Sequence, residues 1–180
     1  IINTLAYSAE AKVRLEILDP DVPGKICSSQ EKKIQLAASG ETDFSAECEY
    51  GDAQLWDCGT PKLYRMRATI TCTTKKRPKQ EILTDVRTVN FGFRWFDADG
   101  LGENAMLRLN GERVRLTSAI SWGFWGKNGL WPTPELAERE VRAAKTLGMN
   151  CIQFHRNVGK TEVLDVQDRL GLMRYMAPGG

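Results

Sequence analysis

The sequence predicts a mixed fold: an antiparallel β-sandwich over residues 1–115, followed by a β-α-β-α-β strip over residues 116–180. Three observations carry this. Up to about residue 96, short apolar–polar alternations of period two are separated by Gly- and Pro-containing turns. Asn110-Gly111 then stands between two further alternating runs. After Leu116 the apolar spacing becomes helical, and two capped helices alternate with short apolar runs.

Taken in order, Val13, Leu15 and Ile17 alternate with Lys12, Arg14 and Glu16, and Ile34 and Leu36 with Lys33 and Gln35. Phe44, Ala46, Cys48 and Tyr50 alternate with Asp43, Ser45, Glu47 and Glu49. Tyr64, Met66, Ala68, Ile70 and Cys72 alternate with Arg65, Arg67, Thr69 and Thr71. Successive strand side chains point to opposite faces, so each run predicts a half-buried strand. Turn formers separate them at Asp19-Pro20, Pro23-Gly24, Ser39-Gly40, Gly51-Asp52 and Gly59-Thr60-Pro61. Asn110-Gly111 predicts a hairpin, because a type I′ turn needs positive φ at both central residues. Leu107 and Val114 then oppose each other, with Arg108 and Arg113 on the other face.

In the strip, Leu116–Ile120 is a short strand. Thr133 is placed to cap a helix with Pro134 as its first residue, where a missing N–H costs nothing. Leu136, Ala137, Val141, Ala144 and Leu147 form the apolar stripe, and Gly148 is the stop. Met149–Phe154 is the next strand. Thr161 caps a second helix with Val163, Val166 and Leu170 on one side and Gly171 as its stop, and Leu172–Met176 is the last strand. Strand, helix, strand, helix, strand describes two βα units of a parallel sheet, in a doubly wound fold or a barrel.

Composition narrows the function classes. With 42% hydrophobic and 27% charged residues, the chain can bury a sizeable core. No apolar run approaches the roughly 18 residues of a membrane span. The 25 basic and 23 acidic residues nearly balance, and the basic run Lys75–Lys79 lacks aromatic interleaving, so neither a membrane nor a nucleic acid is expected as partner. The five cysteines form no CxxC pair and only one histidine is present, so no metal site or cofactor is expected. The disulfide state of the cysteines is left open. No signal-peptide pattern is visible, and localisation stays open, with a secreted or periplasmic setting among the alternatives. The last residues follow directly on a strand, which suggests a piece of a longer chain.

That single histidine, His155, stands at the carboxyl end of a strand in the parallel strip, where loops of α/β folds build ligand sites. The aromatic segment Trp122-Gly123-Phe124-Trp125 follows the preceding strand and opens on the same side. Aromatics beside polar groups suit flat ligands with apolar faces, sugars included. On residue types alone, burial for area is the commoner use of such aromatics.

The motifs "LWDCGTPKLY" (55–64), "FGFRWF" (91–96), "LRLNGERVRL" (107–116), "ELAEREVRAAKTLGMNCIQFH" (135–155) and "VLDVQDRLGLMRYMAPGG" (163–180) resemble, in this order, those of glycoside hydrolase family 2. That family includes β-galactosidases, β-glucuronidases and β-mannosidases. The resemblance implies an all-β immunoglobulin-like β-sandwich, residues 1–115, followed by the first, incomplete part of a catalytic (β/α)8 TIM barrel, residues 116–180. It implies a carbohydrate substrate for the parent protein, with β-linked O-glycosidic bonds cleaved by a retaining two-glutamate mechanism. The catalytic glutamates belong to later barrel strands, so no catalytic residue is assigned here and the chain alone is expected to be inactive. Glu135, Glu138, Glu140 and Glu162 are read as solvated helix faces. His155 resembles the family's sugar-contacting histidine, with Arg156 as the alternative contact; Trp122 and Trp125 complete the expected substrate-binding set. Arg94 and Asp168 are read as structural ion-pairing or hydrogen-bonding residues.

Two other readings compete. One is a non-catalytic β-sandwich module for carbohydrate or protein contact. The other is an unrelated βαβ nucleotide-binding protein, which would require a glycine-rich phosphate loop. "GFWGKNG" lacks the necessary spacing. An incomplete barrel also leaves strand faces uncovered, so a homo-oligomer packed through the strip, or association with the rest of the barrel, is expected.

Overall fold

The computed structural model describes residues 1–73, 81–100, 102, 104–121, 133–155 and 158–176. The chain is mostly β-strand and divides into two units, one of Ile1–Ala53 with Tyr64–Phe91 and one of Gln54–Leu63 with Gly92–Gly180.

The first unit is a four-stranded antiparallel sheet. Its strands are β1 (Ala9–Leu18), β2 (Ile26–Leu36), β3 (Tyr64–Thr73) and β4 (Ile82–Phe91), in the order β2-β1-β3-β4. Alternation decides which face is covered. Ala9, Ala11, Val13 and Ile17 of β1 are buried, with Leu36 of β2 and Tyr64 and Cys72 of β3, while Lys12 and Arg14 point outward and pair with Glu31 on β2. Glu16, on that polar side, is also buried, and its carboxylate accepts from Arg67 Nε at 2.8 Å. Residues 43–50 depart from expectation. Phe44, Ala46, Cys48 and Tyr50 are half-buried, between exposed neighbours, but the segment pairs with no strand among the described residues. Period-two burial arises here without a ladder; Tyr50 packs edge-on against Tyr64 of β3, ring centroids 5.7 Å apart.

The second unit holds two sheets and both helices. β5 (Phe96–Asp99), β6 (Met106–Leu109) and β7 (Glu112–Arg113) form an antiparallel sheet. Its hairpin turns at Asn110 (φ 55°) and Gly111 (φ 84°), with Arg108 opposite Arg113, as the sequence predicts. β8 (Ser118–Ser121), β9 (Cys151–Phe154) and β10 (Met173–Met176) form a parallel sheet in the order β10-β9-β8. Helix α1 (Pro134–Thr146) connects β8 to β9, and α2 (Thr161–Leu170) connects β9 to β10.

The helix ends follow from local chemistry. Thr133 accepts from the Leu136 N–H through its side chain, and Pro134 occupies the first turn. Gly148 and Gly171 end the two helices, both at φ 76°. The second cap falls on Lys160, with Thr161 already helical. Ala137, Val141 and Ala144 of α1 and Val163 and Val166 of α2 pack on Ile152, Phe154 and Leu172. Leu147, expected in the stripe, is 72% exposed, because it is the C-cap residue and has left the helical spacing. The sheet's other face differs: Ile120 is 58% and Tyr175 56% exposed.

Candidate functional site

The carboxyl ends of β8 and β9 meet at Ser121 and His155. In the parallel register Ser121 lies opposite Phe154, and the His155 N–H donates to the Ser121 carbonyl at 3.3 Å. His155 therefore leaves β9 where β8 also ends, at the edge where βα loops gather. Ser121 shares the helix-facing side with Phe154. Its hydroxyl accordingly meets α1, donating to Glu140 Oε1 at 2.7 Å.

Glu140 corrects the sequence reading, which took it for a solvated helix residue. Burial pushes its carboxyl above the usual range, and the Ser121 hydrogen bond only partly opposes this. Oε2 is buried and has no hydrogen-bond partner among the described residues. The signal was present in the sequence: Glu140 is three residues after Ala137 and four before Ala144, inside the buried stripe. By contrast Glu138 is half-buried and fully paired, accepting from Arg169 at 2.6 Å and Arg142 at 2.6 Å, which hold its carboxyl below the usual range.

Of the expected sugar-contacting set, His155 is placed at this edge. Arg156, Trp122 and Trp125 lie outside the described residues.

The recurring motifs converge elsewhere, near the amino ends of β9 and β10. Buried Trp56 donates through Nε1 to the Asp168 carbonyl at 2.6 Å. The Asp168 carboxylate accepts from Arg94 at 2.8 Å and from Arg174 at 3.0 Å, and the Arg94 guanidinium lies 4.1 Å from the Trp56 ring centroid. Asn110 of the hairpin donates to the Trp56 carbonyl at 2.9 Å, and the Trp95 N–H donates to Asn110 at 3.1 Å. Lys145 Nζ ties the Cys58 carbonyl, at 2.6 Å, to that of Gly171, at 3.1 Å. A cavity of about 350 Å³ lies beside this network, walled by Trp56, Trp95, Phe96, Leu109 and Leu172. Arg94 and Asp168 are thus joined in one ion pair, where the sequence had placed each separately in a structural role.

Residues 2–94 match the family Glycosyl hydrolases family 2. The chain belongs to that family. Beta-galactosidase BoGH2A of Bacteroides ovatus is 27% identical to this family 2 chain over 153 residues, which are 85% of the chain and 17% of that protein. The crystal structure of Bacteroides uniformis beta-glucuronidase is 26% identical, with a TM-score of 0.78, over 96% of the chain and 20% of that structure's chain. A family 2 beta-galacturonidase from Eisenbergiella tayi shares the fold at 20% identity, with a TM-score of 0.76, over 97% of this chain and 28% of its own. This family 2 chain therefore spans about a fifth of the length of these relatives.

Proposed function

We propose that this chain is part of a glycosidase that cleaves β-linked O-glycosidic bonds of oligo- or polysaccharides by retaining double displacement. Residues 1–115 would be its immunoglobulin-like sandwich and residues 116–180 the opening of its (β/α)8 barrel. The observation that carries this reading is the parallel order β10-β9-β8 with connecting helices, delivering His155 beside the end of β8, within a family 2 chain.

Retaining hydrolysis needs two carboxylates about 5 Å apart across the scissile bond, one as nucleophile and one as acid/base. Glu140 is unsuited to either part: it lies on the helix side of the sheet, its carboxyl bonded to the Ser121 hydroxyl. Glu138 is neutralised by two arginines. The catalytic pair would come from later strands of the parent. This segment's contribution is to orient the sugar, with His155, or Arg156 in its place, as hydrogen-bonding partner and Trp122 and Trp125 as apolar walls. The exposed Ile120 and Tyr175 face would be covered by further βα units of the same barrel.

The test is hydrolysis of aryl β-glycosides by the full-length parent and by the chain alone. Turnover by the parent and none by the chain is expected. Turnover by the isolated chain, abolished by mutating one of its glutamates, would overturn the assignment.

A further inference from the structure

β4 is a ten-residue strand paired on one side only. Its ladder to β3 runs in unbroken antiparallel register from Tyr64 opposite Phe91 to Thr73 opposite Ile82. On its other side no strand lies alongside it among the described residues. Nine of its ten residues are exposed, with Ile82 at 71% and Val89 at 61%. Natural sheets guard such edges with charged side chains, lysine above all, with proline or with bulges; the charges of β4 are one of each sign, Asp85 and Arg87, on the same face as Leu83 and Val89. β4, "ILTDVRTVNF", has no lysine and no proline, and its register carries no bulge.

Its sequence is instead self-complementary about Val86. Laid antiparallel to an identical strand with Val86 opposite Val86, Asp85 faces Arg87, Thr84 faces Thr88 and Leu83 faces Val89. Opposite-charge, Thr–Thr and apolar pairs are the cross-strand combinations that stabilise antiparallel neighbours. The register is also specified. A slip of two residues, the smallest that keeps each face on its own side, sets Asp85 against Asp85 or Arg87 against Arg87. Asp85 and Arg87 are exposed and only loosely paired within their own strand, at 3.6 Å, so both are available to a neighbour.

We propose that β4 is a self-association edge. A second copy of this chain pairs with it antiparallel about Val86, through an isologous two-fold contact, merging two four-stranded sheets into one continuous sheet. The site is distinct from the exposed face of the α/β strip, where the sequence alone had placed self-association.

Light scattering after size exclusion, at micromolar concentration, tests this. The chain should elute at twice its mass. Asp85→Arg and Arg87→Asp each place like charges in both symmetry-related pairs and should weaken dimerisation on the order of tenfold. Mixing the two single variants should restore a dimer, because their strands are then complementary, and so should the double variant Asp85→Arg/Arg87→Asp. Matching circular dichroism and melting temperatures show that the variants fold. A monomeric wild type, a dimer indifferent to both single substitutions, or a dimer lost only on changing Ile120 and Tyr175 would each overturn the proposal.

Discussion

Trp56 and Asp168, 112 positions apart, are joined by a 2.6 Å hydrogen bond from the indole N–H to the backbone carbonyl. The bond gives the scattered family motifs a physical meaning. Trp56 comes from the first, Arg94 and Trp95 from the second, Asn110 from the hairpin and Asp168 from the second helix, and they share one network. The motifs record the assembly of one half-buried polar junction, not a catalytic constellation.

Trp56→Phe keeps most of the ring and removes the donor. The Asp168 carbonyl then loses its partner in a half-buried setting, at a cost of about 1–3 kcal/mol. Trp56→Ala adds a cavity and should cost about 3–5 kcal/mol. Urea unfolding of the second unit, followed by tryptophan fluorescence and circular dichroism, reads both. Equal stability of wild type and Trp56→Phe would show that the hydrogen bond contributes nothing.

Gly148 and Gly171 allow a controlled comparison. Both end a helix at φ 76°. A Cβ on Gly148 meets nothing within 4 Å, whereas one on Gly171 lies 2.7 Å from the Cys58 carbonyl oxygen, which backbone geometry holds in place. Gly148→Ala should therefore show only left-handed strain, roughly 1–2 kcal/mol. Gly171→Ala should cost clearly more and also disturb the Lys145 contact to both carbonyls. Similar losses in thermal unfolding would refute the steric account.

Glu140 should make stability fall as pH rises. Its carboxyl is raised by burial, so the folded state holds the proton more tightly than the unfolded chain. No penalty exists below the ordinary carboxylate range. It grows as pH climbs from that range through the raised folded value, and is complete above it. Glu140→Gln stays neutral and can still accept from Ser121, so it should flatten this dependence and be relatively stabilised at neutral pH. Unchanged pH profiles of melting temperature for the two proteins would contradict the assignment.

Features set by neighbours in sequence were legible before the structure. Thr133 and Pro134 open α1, Asn110-Gly111 turns the hairpin, and Gly148 and Gly171 close the helices, because each choice depends on φ or on a nearby orphan N–H. Features set by partners far along the chain were not. Phe44 to Tyr50 carry a strand's alternation, yet a strand also needs a neighbour, and alternation cannot supply one. The spacing of Glu140 inside the buried stripe of α1 was legible, but not what its carboxyl would meet there. Only the Ser121 hydroxyl, nineteen positions away, makes its burial tolerable. At the candidate site, the position of His155 at a strand end was readable from the switch of period near Leu116. Its hydrogen bond to Ser121 depended on the parallel register and was not.

The central claim, that this edge of the strip serves a sugar site, is tested most directly by His155→Ala in the full-length parent, with kcat/KM on an aryl β-glycoside and melting temperature measured together. Losing one substrate hydrogen bond, on the order of 1–3 kcal/mol, should lower kcat/KM by about one to two decades while the melting temperature stays unchanged. Unchanged kinetics, or a loss that follows a fall in melting temperature, would contradict the claim and mark His155 as a structural residue.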